Sequence, residues 1–143
     1  MGSTKKSILR VVIDTNVLVS ALLFKGLPSH LVELWQKNKF TLLLSREIIY
    51  EYIRTLSYPK FKLSPGIVKR ILEEEVLPFA ETVQIITSIH RVSEDPDDDK
   101  ILECALDGQA GYVISGDTHL LKVAHYRGIA IVTPRAFLEK EKA

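Results

Sequence analysis

The sequence predicts an α/β fold: one three-layer α/β/α domain with a central, mostly parallel sheet of about five strands. Three observations carry this expectation. Short β-branched runs alternate along the chain with stretches whose apolar residues recur at helical spacing. The 143-residue length suits a single domain with one core, assigned to residues 1–143. With 46% hydrophobic residues and a net charge of only +1, the chain as a whole is not a disordered polyanion or polycation.

The elements follow in order. Residues 1–6 are polar and are expected to be disordered or tag-derived. Residues 8–13 form a β-branched run that stops at Asp14, as a buried strand would. Residues 15–24 have helical spacing, and Lys25-Gly26-Leu27-Pro28 breaks it. Ser29 is the expected N-cap of a helix to Lys37, with Leu31, Leu34 and Trp35 on one side. Residues 41–44 make the second strand, and Ser45 caps a helix to about Leu56. Tyr58-Pro59 interrupts that helix, Ser64-Pro65 opens another ending near Pro78, and residues 83–86 are the expected third strand. After the acidic stretch 94–99 comes a helix to about Leu106, closed by Gly108. Residues 112–115 form a strand, 118–124 a short helix and 130–132 the last strand. Pro134 then starts a C-terminal helix.

Composition narrows the classes of function. Nineteen Lys and Arg against 18 Asp and Glu leave no overall charge that would announce nucleic acid or an acidic tail. The single cysteine, Cys104, can form no internal disulfide, which favours a reducing, cytoplasmic setting. No apolar run approaches a membrane span, and the polar start followed by an Arg10-interrupted apolar stretch is not a signal peptide, so no membrane partner is expected.

The acidic residues are more informative. In open α/β sheets, ligands gather beyond the carboxyl ends of the strands, near the point where strand order reverses. Asp14 ends the first strand. Asp117 lies two residues beyond Ser115, which ends the fourth. Asp95, Asp97, Asp98 and Asp99 precede the helix leading into that strand. Each also has a structural use: Asp14 and Asp117 stand where helix N-caps stand, and an acidic run suits the positive end of a helix dipole.

Helix phase sorts the run. Asp98 shares a face with Ile101, Leu102 and Ala105, so it points most squarely at the sheet, with Asp99 next. A carboxylate aimed at an apolar layer is costly unless a cation or several donors meet it. In the helix after the second strand, Ile48, Ile49, Tyr52, Ile53 and Leu56 form the apolar stripe. Glu47, Glu51 and Arg54 lie on the other side, where Glu51 and Arg54 suit an i,i+3 ion pair. Glu47 and Glu51 are like charges at i,i+4, which a bound cation would relieve.

Several carboxylates meeting at one point raise one another's pKa, and a hard divalent cation resolves the conflict. All-oxygen ligation suits Mg²⁺ or Mn²⁺ rather than zinc. His30, His90, His119 and His125 show no metal-ligand spacing beyond a loose His119/His125 pair.

These residues resemble the PIN-domain ribonucleases. Val11-Val12-Ile13-Asp14-Thr15-Asn16-Val17-Leu18 resembles that family's opening strand motif, with Asp14 as a metal ligand and Asn16 holding the site in shape. The helix over residues 45–56 matches the second acidic element, with its glutamate at Glu51. Asp95-Pro96-Asp97-Asp98-Asp99-Lys100-Ile101-Leu102-Glu103-Cys104-Ala105 resembles the third, with Asp98 or its neighbour Asp99 as the acid. Val113-Ile114-Ser115-Gly116-Asp117-Thr118-His119-Leu120-Leu121 resembles the closing motif, with Asp117 as the acid and Ser115 as the neighbouring hydroxyl. The pattern is most similar to the bacterial and archaeal branch described as toxins of toxin–antitoxin pairs.

The resemblance implies a metal-dependent endoribonuclease that hydrolyses phosphodiester bonds in single-stranded RNA. Asp14, Glu51, Asp98 and Asp117 would be the catalytic acids, holding one or two Mg²⁺ or Mn²⁺ ions, while Asn16, Ser115 and Asp99 would support their geometry. Glu51 would act directly, through water, or as the base. It further implies an antitoxin protein as partner and a homodimer. Lys25, Lys100, His119, Lys122 and Arg46 flank these elements as candidate phosphate contacts, or are ordinary solvated surface. Leu22, Leu23, Phe24 and Leu27 are expected in the core, or at such a partner contact.

Other readings fit less well. A haloacid-dehalogenase-like phosphatase wants a second aspartate where Asn16 stands. A response-regulator receiver wants an acidic pair after the first strand and a lysine after the last, where this chain has Asp14-Thr15 and Thr133-Pro134. The alternative that remains is a PIN-like module, catalytically weak or inactive, that binds RNA or a protein partner.

Overall fold

The computed structural model describes residues 8–89 and 96–142. The expectations for residues 1–6, and for Glu94, Asp95 and His90, lie outside the described residues. The chain forms a six-stranded sheet flanked by helices, one strand more than expected. The strands are β1 (Leu9–Ile13), β2 (Phe40–Leu44), β3 (Ala80–Thr82), β4 (Tyr112–Ile114), β5 (His125–Tyr126) and β6 (Ile129–Val132). Their order across the sheet is β3-β2-β1-β4-β6-β5, and all pairs are parallel except β5 with β6. Because the chain steps outwards from β1 to β2 and β3, then returns to pair β4 with β1, strand order reverses between β1 and β4. That reversal opens a crevice at the carboxyl ends of these two strands.

The helices are α1 (Thr15–Leu23), α2 (His30–Gln36), α3 (Arg46–Leu56), α4 (Pro65–Ile71), α5 (Pro96–Asp107), α6 (Thr118–Val123) and α7 (Pro134–Lys142). α5 packs against β1, β2 and β4, and α2 packs against β2 and α7. Strands covered on both faces must be apolar throughout, and Val11, Val12 and Ile13 of β1 and Leu42, Leu43 and Leu44 of β2 are all fully buried. Phe137 of α7 closes one layer by edge-on ring contacts at 5.5 Å with both Phe40 and Tyr112. At the opposite edge, Arg10 of β1 reaches over β2 to clamp Glu81 of β3 through two hydrogen bonds of 3.0 and 2.6 Å, and donates to the Gly108 carbonyl at 2.7 Å.

Helix boundaries follow their caps. Ser45 Oγ accepts from the Ile48 amide at 3.2 Å, Ser64 Oγ from Ile67 at 3.2 Å, and Thr133 Oγ1 from Ala136 at 3.1 Å ahead of Pro134. Ser29 is not a cap. Pro28 starts a 3₁₀ turn at Leu27–Ser29, so Ser29 is already helical and its hydroxyl donates back to the Gly26 carbonyl at 2.6 Å. The helix expected to end near Pro78 is α-helical only to Ile71. It widens to a π-turn over Leu72–Val76 and tightens to a 3₁₀ turn over Leu77–Phe79, where Pro78 can supply no amide.

The third strand is Ala80–Thr82 and not residues 83–86. Its partner β2 ends at Leu44, which pairs with Thr82, so the ladder closes with the Val83 amide on the Leu44 carbonyl. Beyond it the chain turns onto α5, where the Asp107 carboxylate accepts from the Ile86 and Thr87 amides at 2.6 and 2.8 Å. The acidic stretch does not precede α5 but enters it: the helix starts at Pro96, a residue preorganised for a first turn, and Asp98 and Asp99 sit at its positive end.

Candidate active site

β1 runs out at Ile13, and the next residue, Asp14, still joins the sheet through its amide, which donates to the Ile114 carbonyl of β4 at 3.0 Å. Asp14 is also the N-cap of α1. Its Oδ1 accepts from the Val17 amide at 3.1 Å, and its Oδ2 accepts from the Ser115 hydroxyl. Ser115 is fully buried just past β4, and the same Oγ accepts from the Asp117 amide at 2.9 Å. One hydroxyl therefore ties the two aspartates together across the strand-order reversal. Asp117 caps α6, with Oδ1 accepting from His119 and Leu120 amides at 2.7 and 3.4 Å. The capping and functional readings of these aspartates are compatible, since each has a carboxylate at a helix start and also faces one cavity.

That cavity, of about 130 Å³, is lined by Asp14, Thr15, Asn16, Glu47, Ile48, Glu51, Asp98, Lys100, Ile101 and Asp117. Four elements build it: the start of α1, the first two turns of α3, the first two turns of α5 and the start of α6. The expected acids Asp14, Glu51, Asp98 and Asp117 all face it, as does Asn16. Ser115 stands behind Asp14, and Asp99, though buried, is not on the wall, whereas Asp98 is. Glu51 keeps its ion pair with Arg54 at 2.8 Å and faces the cavity as well. Glu47 is an acid of the wall that sequence reasoning left on the solvated face; its i,i+4 spacing from Glu51 was the signal. Of the candidate cations only Lys100 lines the cavity; Lys25, Arg46 and Lys122 do not, and His119 places Nδ1 3.9 Å from Asp117 Oδ1.

Five carboxylates and one lysine make this wall strongly negative. Burial pushes the Asp14 carboxyl above its usual range, and the charge of Asp117 pushes the same way; the Ser115, Val17 and Gly116 hydrogen bonds offset part of the rise. Tyr52 lies beneath them, fully buried on α3, its hydroxyl donating to the Ile13 carbonyl at 2.7 Å. The apolar stripe gave Tyr52 a packing role only; its hydroxyl also fixes the end of β1.

The donor set, all oxygen and mostly carboxylate, is the chemistry of a hard divalent cation. The carboxylates share the wall without forming a closed cage: among the described residues, no three His, Cys, Asp or Glu side chains stand ready to hold an ion. Glu51 Oε1 is held by Arg54, Asp14 by Ser115 and Asp117 by the α6 amides, so mutual repulsion is relieved through separate partners.

Fold and site together define an α/β domain with a carboxylate-lined cavity at its strand-order reversal, suited to a hard cation. Residues 10–119 match the PIN domain, and the chain belongs to the PIN-domain family. PIN domains are generally nucleases that use divalent metal ions. The chain is 29% identical to the uncharacterized protein MJ1680 of Methanocaldococcus jannaschii, over 98% of this chain and 96% of that protein. Among solved structures it resembles FitAcB from Neisseria gonorrhoeae, with a TM-score of 0.55 and 17% identity, covering 87% of this chain and 98% of that one. Among the described residues, no single helix is long and apolar enough to cross a membrane.

Proposed function

We propose that this protein is a Mg²⁺- or Mn²⁺-dependent endoribonuclease that hydrolyses single-stranded RNA, and that it acts in the cytoplasm as the toxin of a toxin–antitoxin pair. The observation that supports this most is the cavity at the β1/β4 reversal, where Asp14, Glu51, Asp98 and Asp117 line one wall. In this reading those four acids hold one or two cations, with Asp98 rather than Asp99 as the ligand from α5. A bound cation supplies a nucleophile from water at neutral pH and offsets charge on the phosphoryl oxygens.

The chain's own residues do the rest. Ser115 fixes the Asp14 carboxylate and the Asp117 backbone through one hydroxyl. Asn16, on the wall next to Asp14, helps hold the site in shape. Glu51, with Oε1 occupied by Arg54, has Oε2 to take a proton from the attacking water. Lys100 meets the substrate phosphate, which an otherwise acidic wall would repel. Asp99 supports the first turn of α5. The partners in this account are an RNA substrate, an antitoxin that covers the cavity, and a second copy of the chain; a reducing compartment suits the single buried Cys104.

The test is to incubate purified protein with end-labelled single-stranded RNA in Mn²⁺ or in EDTA. Cleavage is expected in Mn²⁺ alone and is expected to fall at least about 100-fold in Asp14→Asn. Binding without cleavage would favour a PIN-like binding module instead.

A further inference from the structure

Beside the acidic cavity lies a second, larger groove, of about 730 Å³, and Asn16 belongs to the walls of both. Its lining also carries Phe24, Tyr58, Lys60 and Phe61, with Ser20 and Thr55. Phe24 does not serve the core: Leu22, Leu23 and Leu27 pack inwards, while Phe24 is 55% exposed at the end of α1. Tyr58 is 42% exposed. Phe24 and Phe61 stand 6.0 Å apart at a 54° tilt, and Lys60 Nζ sits 5.1 Å from the Phe61 ring centre. The loop that presents these rings is held in place. Pro59 restricts its turn, and the Tyr58 and Phe61 amides bond back to Thr55 and Tyr58 carbonyls at 3.1 and 3.0 Å.

Exposed aromatic faces cost free energy in water unless something stacks on them. No acidic side chain lines this groove and one lysine does, so its charge is opposite in sign to that of the neighbouring cavity and suits a polyanion. Rings with a cation and small hydrogen-bonding side chains, beside the aliphatic Val19, Leu23 and Leu63, suit the stacking of unpaired bases. We propose that this groove seats the unpaired bases of the RNA strand adjoining the scissile phosphate, with Phe24 and Tyr58 as stacking faces and Lys60 on the backbone. The inference rests on the ribonuclease reading for its substrate, and on the groove's own geometry for the subsite. Asn16 marks the point where the strand passes from platform to acidic cavity.

The experiment uses an eight-nucleotide single-stranded RNA carrying 2-aminopurine, whose fluorescence is quenched by stacking. It is mixed with full-length protein in EDTA, and cleavage of a longer RNA in Mn²⁺ is read in parallel. Wild type is expected to quench the probe. Phe24→Leu and Tyr58→Leu keep apolar bulk but lose the ring, and are expected to lose the quenching and weaken binding about tenfold or more, with thermal stability unchanged. KM for cleavage is expected to rise with kcat less affected. Lys60→Gln is expected to weaken binding and lower its salt dependence without abolishing the quenching.

If these variants bind and quench as wild type does while cleavage proceeds, the groove proposal is overturned and the ribonuclease reading stands. If the probe is quenched by wild type only, but no RNA is cleaved in Mn²⁺, the platform stands and the ribonuclease reading falls. Should the groove variants leave RNA binding intact and instead abolish self-association in sedimentation, the groove is a protein interface and the proposal is overturned. No binding of the probe by wild type also overturns it.

Discussion

The buried hydroxyl of Tyr52 donates to the carbonyl of Ile13 at 2.7 Å, joining the second turn of α3 to the last residue of β1. The next residue along the chain is Asp14. A helix that carries Glu51 towards the cavity thus also sets where the Asp14 backbone leaves the sheet. Tyr52→Phe keeps the ring and removes the donor, leaving a buried carbonyl one partner short. A loss of about 1–2 kcal/mol is expected in urea unfolding, with a weaker response to Mn²⁺. Equal midpoints and equal Mn²⁺ response would show that the hydroxyl merely fills space.

Asp14 makes a pH-dependent prediction whose sign is the reverse of an ordinary salt-bridged acid. Burial raises its pKa in the folded chain, so carrying the charge costs stability. That cost is absent below the unfolded aspartate value near about 3.9, grows as pH rises to the folded value, and is complete above it. Asp14→Asn keeps a capping acceptor and removes the charge. In EDTA the variant is expected to melt above wild type at pH 7, with the gap closing towards pH 4. Mn²⁺ is expected to raise the wild-type midpoint and leave the variant unmoved. A variant less stable than wild type at every pH contradicts the account.

Asp107 behaves in the opposite sense. Burial alone would raise its pKa, but the Thr87 hydroxyl and the Thr87 and Ile86 amides outweigh that and hold it below the usual range. Its contribution is fully present above the ordinary aspartate value and is lost as pH falls through the depressed one. Asp107→Ala should speed amide exchange at Ile86 and Thr87 and cost about 1–2 kcal/mol at pH 7, less below pH 4. Unchanged exchange would place the anchor elsewhere.

Cys104 is fully buried on α5, and burial pushes its thiol up to about 12, with Asp107 and Glu47 adding to the rise. Reaction with a disulfide reagent needs the thiolate. The native protein is therefore expected to resist such a reagent at pH 8 and to release one equivalent of thiol once unfolded in guanidinium. Rapid native reaction would mean that the α5 packing opens on its own.

The parts of this fold that were legible in the sequence are those where local chemistry and tertiary packing agree. The β1 run ended where Asp14 had to serve as a cap, Ser45 and Ser64 capped as expected, and helix phase aimed Asp98 rather than Asp99 at the cavity. Other features depended on distant partners. The third strand lies at Ala80–Thr82 because Leu44 ends its ladder, and no property of residues 83–86 reports where β2 stops. The short β5 was missed because its hairpin turns on Arg127-Gly128, both at positive φ, without the Asn-Gly or Asp-Gly pair that advertises such a turn. Helix phase put Glu47 and Glu51 only on the polar side of α3, and that side proves to line the cavity; Glu51 was expected there from the family resemblance, whereas Glu47 was not. Phase reports where a helix is apolar, not what stands opposite its polar face.

The central claim is that the wall of Asp14, Glu51, Asp98 and Asp117 holds a divalent cation. The most direct measurement is anomalous diffraction from crystals of the full chain soaked in MnCl₂. The account predicts a manganese peak in this cavity, bonded to Asp14 and to at least one of Asp98 and Asp117, and absent from Asp14→Asn crystals. A saturating soak that leaves the cavity without a peak, or that places manganese only on the outer surface, would contradict it.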